Sequence, residues 1–333
     1  MSLEFREEID TARFHSPLED FEETEVDVQI REDPLTGQQT RIVPEVFPGG
    51  ETRPDVSEFV GDDEGCFFCP DMVGDATPTY PDFVGMERGE TGEAVSFPNL
   101  FPYGKHSNVV VLTEDHFRPM EDFTTEQFAD GLSAALEYLE SVVAHDGSEF
   151  ASINMNLLPS AGSSVVHPHL QTVADNHGTN RQRLLHRHER AYYEEQGESY
   201  WQALLEEERD GERYVGSTGE VSWLAPFAPT HHWHVTGITD VVGLPDPGSG
   251  VVTALADGIT NVLSYYASLN LNAHNFSIRF TDDPASRAVI DVIARAPFDD
   301  HYVSDAFFFT TLHDERIVDV PPEEYAPELA EEF

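Results

Sequence analysis

The order of predicted secondary-structure elements in the first half of this chain recurs in the second half. Three stretches of the first half, residues 95–102, 125–144 and 150–173, are echoed by residues 221–229, 251–267 and 275–295. A recurring strand-helix-strand-strand order of this kind indicates an internal duplication. The sequence therefore predicts an α+β protein with a pseudo-duplicated architecture.

Local patterns define the elements of the first half. Apolar residues along one face predict a helix over residues 125–144, and Thr124 begins a capping box at its start. Alternating residues on both sides of a turn at residues 33–37 predict a hairpin over residues 25–43. The acidic residues 1–25 show little pattern, and we expect them to lie loosely over the surface.

The chain is acidic throughout its length. It has 63 acidic and 18 basic residues, which give a net charge of −45, and only one of the basic residues is a lysine. Such an excess gives a hydrated, self-repelling surface that salt must screen, so we interpret it as adaptation to a high-salt cytoplasm. Apolar residues make up 39% of the chain, which is sufficient for a packed core and excludes disorder. The acidic surface also argues against nucleic acid as a partner.

The two cysteines and the N-terminus bear on the cellular compartment. The chain opens MSLEFREE, unlike a signal peptide, and no apolar run approaches membrane-spanning length. We therefore expect a cytoplasmic protein without a membrane partner. In a reducing compartment, the spacing of Cys66 and Cys69 favours metal binding or redox chemistry over a structural disulfide.

The most informative motif is His167-Pro-His169-Leu-Gln171, in a strand predicted over residues 165–173. Alternate residues of a strand share one face, so the two imidazoles and the amide would point the same way. This set offers a metal ligand or nucleophile, a second nitrogen nucleophile, and a donor for a charged oxygen. A polar loop before the strand could bring N–H groups close to an anion, which indicates a phosphate as the substrate group. Its residues include Asn156, Gly162, Ser163 and Ser164.

Other histidines lack this context. His231, His232 and His234 form one group, and His186 and His188 form another, but neither has a preceding glycine and serine loop. We interpret both groups as structural or surface residues.

Four segments follow from these patterns. They are an acidic N-terminal segment (1–25), a first unit that carries the chemistry (26–177), a helical connector (178–210) and a second, degenerate unit (211–333). No histidine of the second unit falls where the first unit has its paired histidines. One unit would thus carry the chemistry while the other supports it.

These motifs resemble the galactose-1-phosphate uridylyltransferase family of the histidine-triad (HIT) superfamily. The resemblance covers about residues 30–330, and it is strong in the first half and thin in the second. It rests on the Cys-x-x-Cys pair, the Asn-Leu-Phe-Pro stretch at Asn99, Asp115-His116, the polar loop and the His-Pro-His-Leu-Gln strand. It is extended by Asp33-Pro-Leu-Thr-Gly37, Arg53-Pro54 and the helix start at residues 322–326.

The resemblance implies a fold and a set of site residues. The fold is a tandem pair of HIT-like units around an antiparallel sheet with packed helices, usually as a homodimer. Position by position, His169 matches the nucleophile and Gln171 the residue that holds the phosphoryl oxygen. Cys66, Cys69, His116 and His167 match a structural zinc (Zn²⁺) site. Asn156, Gly162, Ser163 and Ser164 match the phosphate loop, and Asn99 and Arg53 match further nucleotide contacts.

The resemblance also implies a reaction, in which UMP moves between sugar 1-phosphates through a uridylyl-histidine, with a nucleotide sugar such as UDP-glucose as donor. Two departures from the family concern a second metal and the sugar. The late strand that carries a second metal-binding histidine cluster in many members reads Ile-Asp-Val-Ile at residues 290–293, so a second metal is not expected. The stretch that contacts the hexose in bacterial members is replaced by Val-Ser-Asp-Ala at residues 303–306. Galactose is therefore not fixed as the sugar.

Two alternatives stay open at this stage. A dinucleoside polyphosphate phosphorylase of the same superfamily would keep the histidine nucleophile and pass AMP to phosphate. A non-catalytic protein that binds zinc and nucleotides would explain the degenerate second unit.

Overall fold

Two antiparallel-rich sheets organise the chain. The computed structural model describes residues 3–44 and 52–333, and all elements below refer to these ranges. The strands are β1 (Arg6–Ser16), β2 (Glu22–Glu32), β3 (Gln39–Ile42), β4 (Gly89–Thr91), β5 (Ala94–Pro98), β6 (His106–Val111), β7 (Phe150–Leu157), β8 (His169–Asp175), β9 (Tyr214–Thr218), β10 (Val221–Leu224), β11 (Val235–Ile238), β12 (His274–Thr281), β13 (Val289–Ala294) and β14 (Arg316–Val318). The helices are α1 (Ser57–Val60), α2 (Pro70–Ala76), α3 (Thr125–Asp146), α4 (Asn180–Gln196), α5 (Tyr200–Glu208), α6 (Gly250–Ser268), α7 (Phe308–Leu312) and α8 (Pro322–Leu329).

The larger sheet has ten strands in the order β4-β5-β6-β8-β7-β12-β13-β11-β10-β9. From one edge to the centre, the first-half strands follow the order β4, β5, β6, β8 and β7. From the other edge to the centre, the second-half strands follow the corresponding order β9, β10, β11, β13 and β12. Strands β7 and β12 meet at the centre, where they pair antiparallel over eight residues, from Phe150 opposite Thr281 to Leu157 opposite His274. The α+β class is therefore confirmed, and the two halves of the chain share one continuous sheet.

The two long helices pack against one face of this sheet. Helix α3 begins with the predicted capping box, in which the Thr124 side chain accepts from the backbone of Gln127. Strand β8 contributes Leu170 and Ala174 to the core beneath α3, so its alternate residues His169 and Gln171 face the other side. The helices thus fix one face of the sheet and leave the opposite face for chemistry. In the two described ranges, none of the helices combines the length and the apolar character needed to cross a bilayer.

A glycine at the centre of α6 permits the closest contact between this helix and the sheet. A Cβ placed on Gly258 would lie 2.0 Å from Cζ2 of Trp223, which is fully buried and donates a hydrogen bond to Thr218. We expect Gly258→Ala to lower the free energy of unfolding by about 1–3 kcal/mol, because the indole has no room to shift. Denaturant unfolding followed by circular dichroism measures this. Gly250→Ala, in the first turn of α6 with nothing within 4 Å of the added methyl, is the matched control, and an equal loss there would contradict the packing argument.

Most predicted elements of the two halves are confirmed, with two corrections. The histidine-bearing strand begins at His169 rather than at residue 165, because Pro168 has no N–H to donate and His167 turns its ring away from the strand. The N-terminal segment is also more ordered than predicted. Strand β1 pairs with β2 along its whole length, in a sheet of order β1-β2-β3-β14, although its residues are largely exposed. Residues 1 and 2 lie outside the described ranges.

Candidate active site and metal centre

Two thiols and two imidazoles converge beside the start of β8. The ligand atoms of Cys66, Cys69, His116 and His167 all lie within 4.8 Å of one another. Sγ of Cys69 is 3.5 Å from Nδ1 of both histidines, and Sγ of Cys66 is 3.7 Å from Nδ1 of His167. Tetrahedral zinc, with bonds of about 2.3 Å to sulfur and about 2.0 Å to nitrogen, places these atoms roughly 3.5 Å apart. The four residues therefore fit a closed tetrahedral zinc site.

The second ring nitrogen of each histidine is held from outside the cluster. Nε2 of His167 donates to the backbone oxygen of Thr113 at 2.7 Å, and Nε2 of His116 lies 3.3 Å from the backbone oxygen of Val60. These contacts leave both Nδ1 atoms free of protons and directed at the thiols. The Nδ1 atoms of both histidines are therefore oriented to coordinate a cation.

Burial makes the Cys69 thiol costly to ionise without a cation. Desolvation, reinforced by the adjacent Cys66, raises the pKa of the Cys69 thiol to about 12. A bound divalent ion reverses this balance, because it favours the thiolate form of its ligands. The pair is thus better suited to holding a metal than to remaining as free thiols.

His169 lies next to this cluster but outside it. Its Nδ1 donates to the backbone oxygen of His167 at 2.8 Å, so the lone pair is on Nε2. The ring is 7% exposed and lies against the ring of Phe68, with centroids 5.3 Å apart. Desolvation lowers the pKa of His169, which keeps the imidazole neutral. A neutral, oriented imidazole of this kind can act as a nucleophile.

The polar loop between β7 and β8 carries backbone strain. Leu158 is fully buried yet has a φ of 69°, and Gly162 follows with a φ of 90°. A leucine adopts this region only when its surroundings enforce it, and such residues cluster at functional loops. Gly162 and Ser164 are exposed at the turn, whereas the hydroxyl of Ser163 is buried and donates to the backbone oxygen of Val165. Ser163 therefore shapes the loop, while Gly162 and Ser164 are accessible from solvent.

Asn275, which the sequence patterns did not single out, holds this loop from the second half of the chain. Its amide donates to the side chain of Asn156 at 2.5 Å and to the backbone oxygen of Ala161 at 2.9 Å. In turn its side-chain oxygen accepts from Arg295 at 2.6 Å. The echo between the halves could have marked Asn275, because it stands directly opposite Asn156 where β12 pairs with β7.

The remaining predicted site residues differ in their placement. Gln171 is two residues after His169 on the same face of β8, and its neighbour across the sheet is Asn154. Arg53 forms an ion pair with Glu121 and lines a cavity that it shares with His116, on the metal side of the site. The side chain of Asn99 accepts from the backbone N–H of Phe101 at 3.0 Å, a contact within its own loop. Gln171 thus shares the His169 face of β8, and Arg53 lines the same cavity as His116.

Comparison with solved structures identifies the fold. An ADP-glucose phosphorylase from Arabidopsis thaliana, solved with ADP-glucose bound, superposes on 91% of this chain and 99% of its own with a TM-score of 0.69 and 18% identity. A uridylyltransferase superposes with a TM-score of 0.65 and 17% identity, over 91% of this chain and 97% of its own. The chain therefore has the fold of these two enzymes.

Sequence comparison places the chain more narrowly. No protein-family model matches it. An uncharacterized protein of Archaeoglobus fulgidus is 36% identical to it over 99% of this chain and 98% of the relative. The chain belongs to the same family as this archaeal protein.

Proposed function

We propose that the chain is a nucleotidyltransferase that moves a nucleotidyl group from a nucleotide sugar to an acceptor phosphate, through a covalent intermediate on His169. The observation that carries the proposal is the hydrogen bond from Nδ1 of His169 to the backbone oxygen of His167. It leaves Nε2 as the free nucleophilic atom of a buried, neutral ring. The fold shared with the ADP-glucose phosphorylase and the uridylyltransferase supports the same reaction class.

The reaction has two steps: the nucleotidyl group is first transferred to His169 and is then transferred from His169 to the acceptor. Nε2 of His169 attacks the α-phosphorus, a P–N bond forms, and the sugar 1-phosphate leaves with the electron pair of the broken P–O bond. An oxygen of the acceptor phosphate then attacks the same phosphorus, and the electrons of the P–N bond return to Nε2. This is ping-pong chemistry, and the acceptor we favour is a second sugar 1-phosphate.

The surrounding polar groups would stabilise the phosphoryl oxygens as charge builds on them. We assign this role to the amide of Gln171 and to the loop groups of Asn156, Gly162 and Ser164, with Ser163 holding the turn. Arg53 and Asn99 would contact more distant parts of the nucleotide.

A zinc ion held by Cys66, Cys69, His116 and His167 would be structural. With four protein ligands the shell is closed, so the ion would stabilise the start of β8 and supply no activated water. Its ligand His167 provides the carbonyl that orients His169, which links the metal centre to the nucleophile.

The architecture supports two units with different roles, of which one carries the reaction and the other supports it. The corresponding strand order in the two halves of the sheet supports a tandem pair of HIT-like units, of which the second positions the first. Adaptation to a high-salt cytoplasm remains our interpretation of the net charge of −45.

The test of the proposal is covalent labelling. The protein is incubated with UDP-glucose or ADP-glucose labelled in the α-phosphate, quenched in alkali and separated from free nucleotide. We expect acid-labile label on the protein, released when glucose 1-phosphate or inorganic phosphate is added. Absence of label with both donors would overturn the proposal, and the effective acceptor distinguishes a uridylyltransferase-like from a phosphorylase-like reaction.

Replacing Gln171 tests the stabilisation of the phosphoryl oxygens. We expect Gln171→Ala to lower the rate of label formation by about 10²-fold, because one donor to the developing charge is lost, with little change in melting temperature. Rapid-quench kinetics measures the rate. The control is Gln202→Ala, at an exposed position of α5, and a rate for Gln171→Ala equal to that of this control would remove Gln171 from the site.

A further inference from the structure

An arginine-lined cavity opens on the second half of the sheet face that carries His169. It has a volume of about 540 Å³, within the usual range for small-molecule sites. Four of the chain's arginines line it, namely Arg181, Arg279, Arg295 and Arg316. This cluster of positive side chains contrasts with the net negative charge of a chain that has 63 acidic and 18 basic residues.

Among the residues that the structure describes, Arg181 makes no direct ion pair, although the carboxylates of Asp33 and Asp291 are near enough to interact with its charge. Its hydrogen bond goes to the neutral side chain of Gln38 at 2.5 Å. It is half-buried and stands in the first turn of α4, where the helix dipole is itself positive. Burial and the nearby Arg279 lower the pKa of Arg181, because both disfavour the charged form of the guanidinium.

Each of the other three arginines has a carboxylate partner. Arg279 pairs with Asp291, and Arg295 makes a two-pronged pair with Asp305 at 2.7 and 2.6 Å. Arg316 pairs with Asp314, whose side chain is 69% exposed, so solvent weakens this contact.

A histidine also lines the cavity. Burial, followed by Arg316 and Arg295, lowers the pKa of His231 to about 3. Among the described residues, four arginines and one carboxylate, that of Asp291, line the cavity, so its wall carries a net positive charge that would attract an anion. His231, which we interpreted from sequence as structural or surface, lies in this wall.

The rest of the wall is rich in neutral hydrogen-bonding groups. Ser152, Asn154, Asn275 and Ser277 present hydroxyl and amide groups to the cavity. Such groups recognise the hydroxyls of a sugar, and a guanidinium recognises phosphate oxygens. We propose that this cavity binds a phosphorylated polyhydroxy compound, such as a sugar phosphate, with Arg181 as the principal contact to the phosphate.

The cavity borders the candidate active site, because Asn156 and Ala161 of the polar loop before β8 also line it. The wall formed by β13 is three strands from β8, in the order β8-β7-β12-β13, and neighbouring strands are about 4.8 Å apart. Arg295 is therefore on the order of 15 Å from His169. The proposal does not require nucleotidyl transfer at His169.

Calorimetric titration of the full-length, zinc-loaded protein tests the proposal. The probes are glucose 1-phosphate, inorganic phosphate and glucose, at constant KCl concentration. We expect glucose 1-phosphate to bind, glucose not to bind, and Arg181→Gln to weaken the affinity for glucose 1-phosphate by about tenfold or more, because a charge-assisted contact is lost. Arg316→Gln should weaken it as well. The matched control is Arg190→Gln, on the same helix but 56% exposed, which should bind as wild type does.

Melting temperature separates a ligand-binding arginine from a structural one. Without ligand, Arg181→Gln should melt at or above the wild-type temperature, because it removes an unpaired, half-buried cation. A lower melting temperature with unchanged affinity for glucose 1-phosphate would overturn the proposal, as would equal binding to wild type and both cavity variants. Inorganic phosphate binding as tightly as glucose 1-phosphate would support the phosphate contact and overturn the sugar part. Because this readout is binding and the test at His169 is covalent labelling, either proposal can fail alone.

Discussion

Replacing His169 by asparagine should abolish the covalent intermediate and nucleotidyl transfer together. The amide can still donate a hydrogen bond, but it has no lone pair able to attack phosphorus. We expect a loss of at least about 10³-fold in turnover, since removal of a catalytic nucleophile leaves only the contribution of binding and positioning. Label retention on the protein and the steady-state exchange of glucose 1-phosphate into UDP-glucose or ADP-glucose measure the two effects.

The control is an exposed histidine. His177 lies after β8 at the surface, so His177→Asn should retain both labelling and exchange. Folding of each variant is checked by its melting temperature, because His169 is almost fully buried. If His169→Asn kept the label, the nucleophile would have to be another group, and the proposed mechanism would be wrong.

Replacing either cysteine by serine should remove the metal and destabilise the fold. Cys69 is buried among Phe68, His116 and His167, where a serine hydroxyl is a poor zinc ligand and leaves a polar group without its partner. We expect Cys66→Ser and Cys69→Ser each to lower zinc content well below one ion per chain. The expected loss of unfolding free energy is roughly 3–5 kcal/mol. Elemental analysis and denaturant unfolding measure the two quantities.

Chelation provides the control for the cysteine variants. Dialysis of the wild type against a strong chelator should reproduce the loss of stability, whereas the same treatment should have little further effect on Cys69→Ser. Unchanged zinc stoichiometry in both variants would rule out the proposed tetrad.

The elements that could be predicted from sequence are those whose signals are local. The capping residues and apolar face of α3 define that helix, and alternating residues around the turn at residues 33–37 define the hairpin of β2 and β3. The start of β8 was predicted too early, because Val165 and Val166 are β-branched and suited to a strand. Nothing local shows that the ring of His167 must turn towards the thiols of Cys66 and Cys69. Likewise, β1 shows little hydrophobic alternation, since it is stabilised by pairing along β2 and not by burial.

The candidate site likewise has parts that could be predicted from sequence and parts that could not. The convergence of Cys66, Cys69, His116 and His167 was anticipated through family resemblance, whereas their spacing along the chain alone left redox chemistry open. Asn275 was missed because its role depends on a pairing between β12 and β7 that joins distant parts of the sequence. The role of Arg181 could not be found from sequence either, because the lack of a direct ion pair is a property of three-dimensional packing.

The continuous pairing of β7 with β12 restricts how a reactant can enter and leave. Eight consecutive residues of each strand are joined across the centre of the sheet, so the halves cannot swing apart as hinged domains without breaking a buried ladder. Access to the nearly buried His169 must therefore be gated locally. The ring of Phe68 lies against His169, and Phe68 stands between the two cysteines of the candidate metal site. We therefore expect access to His169 to change through side-chain movements such as rotation of Phe68, rather than through domain opening.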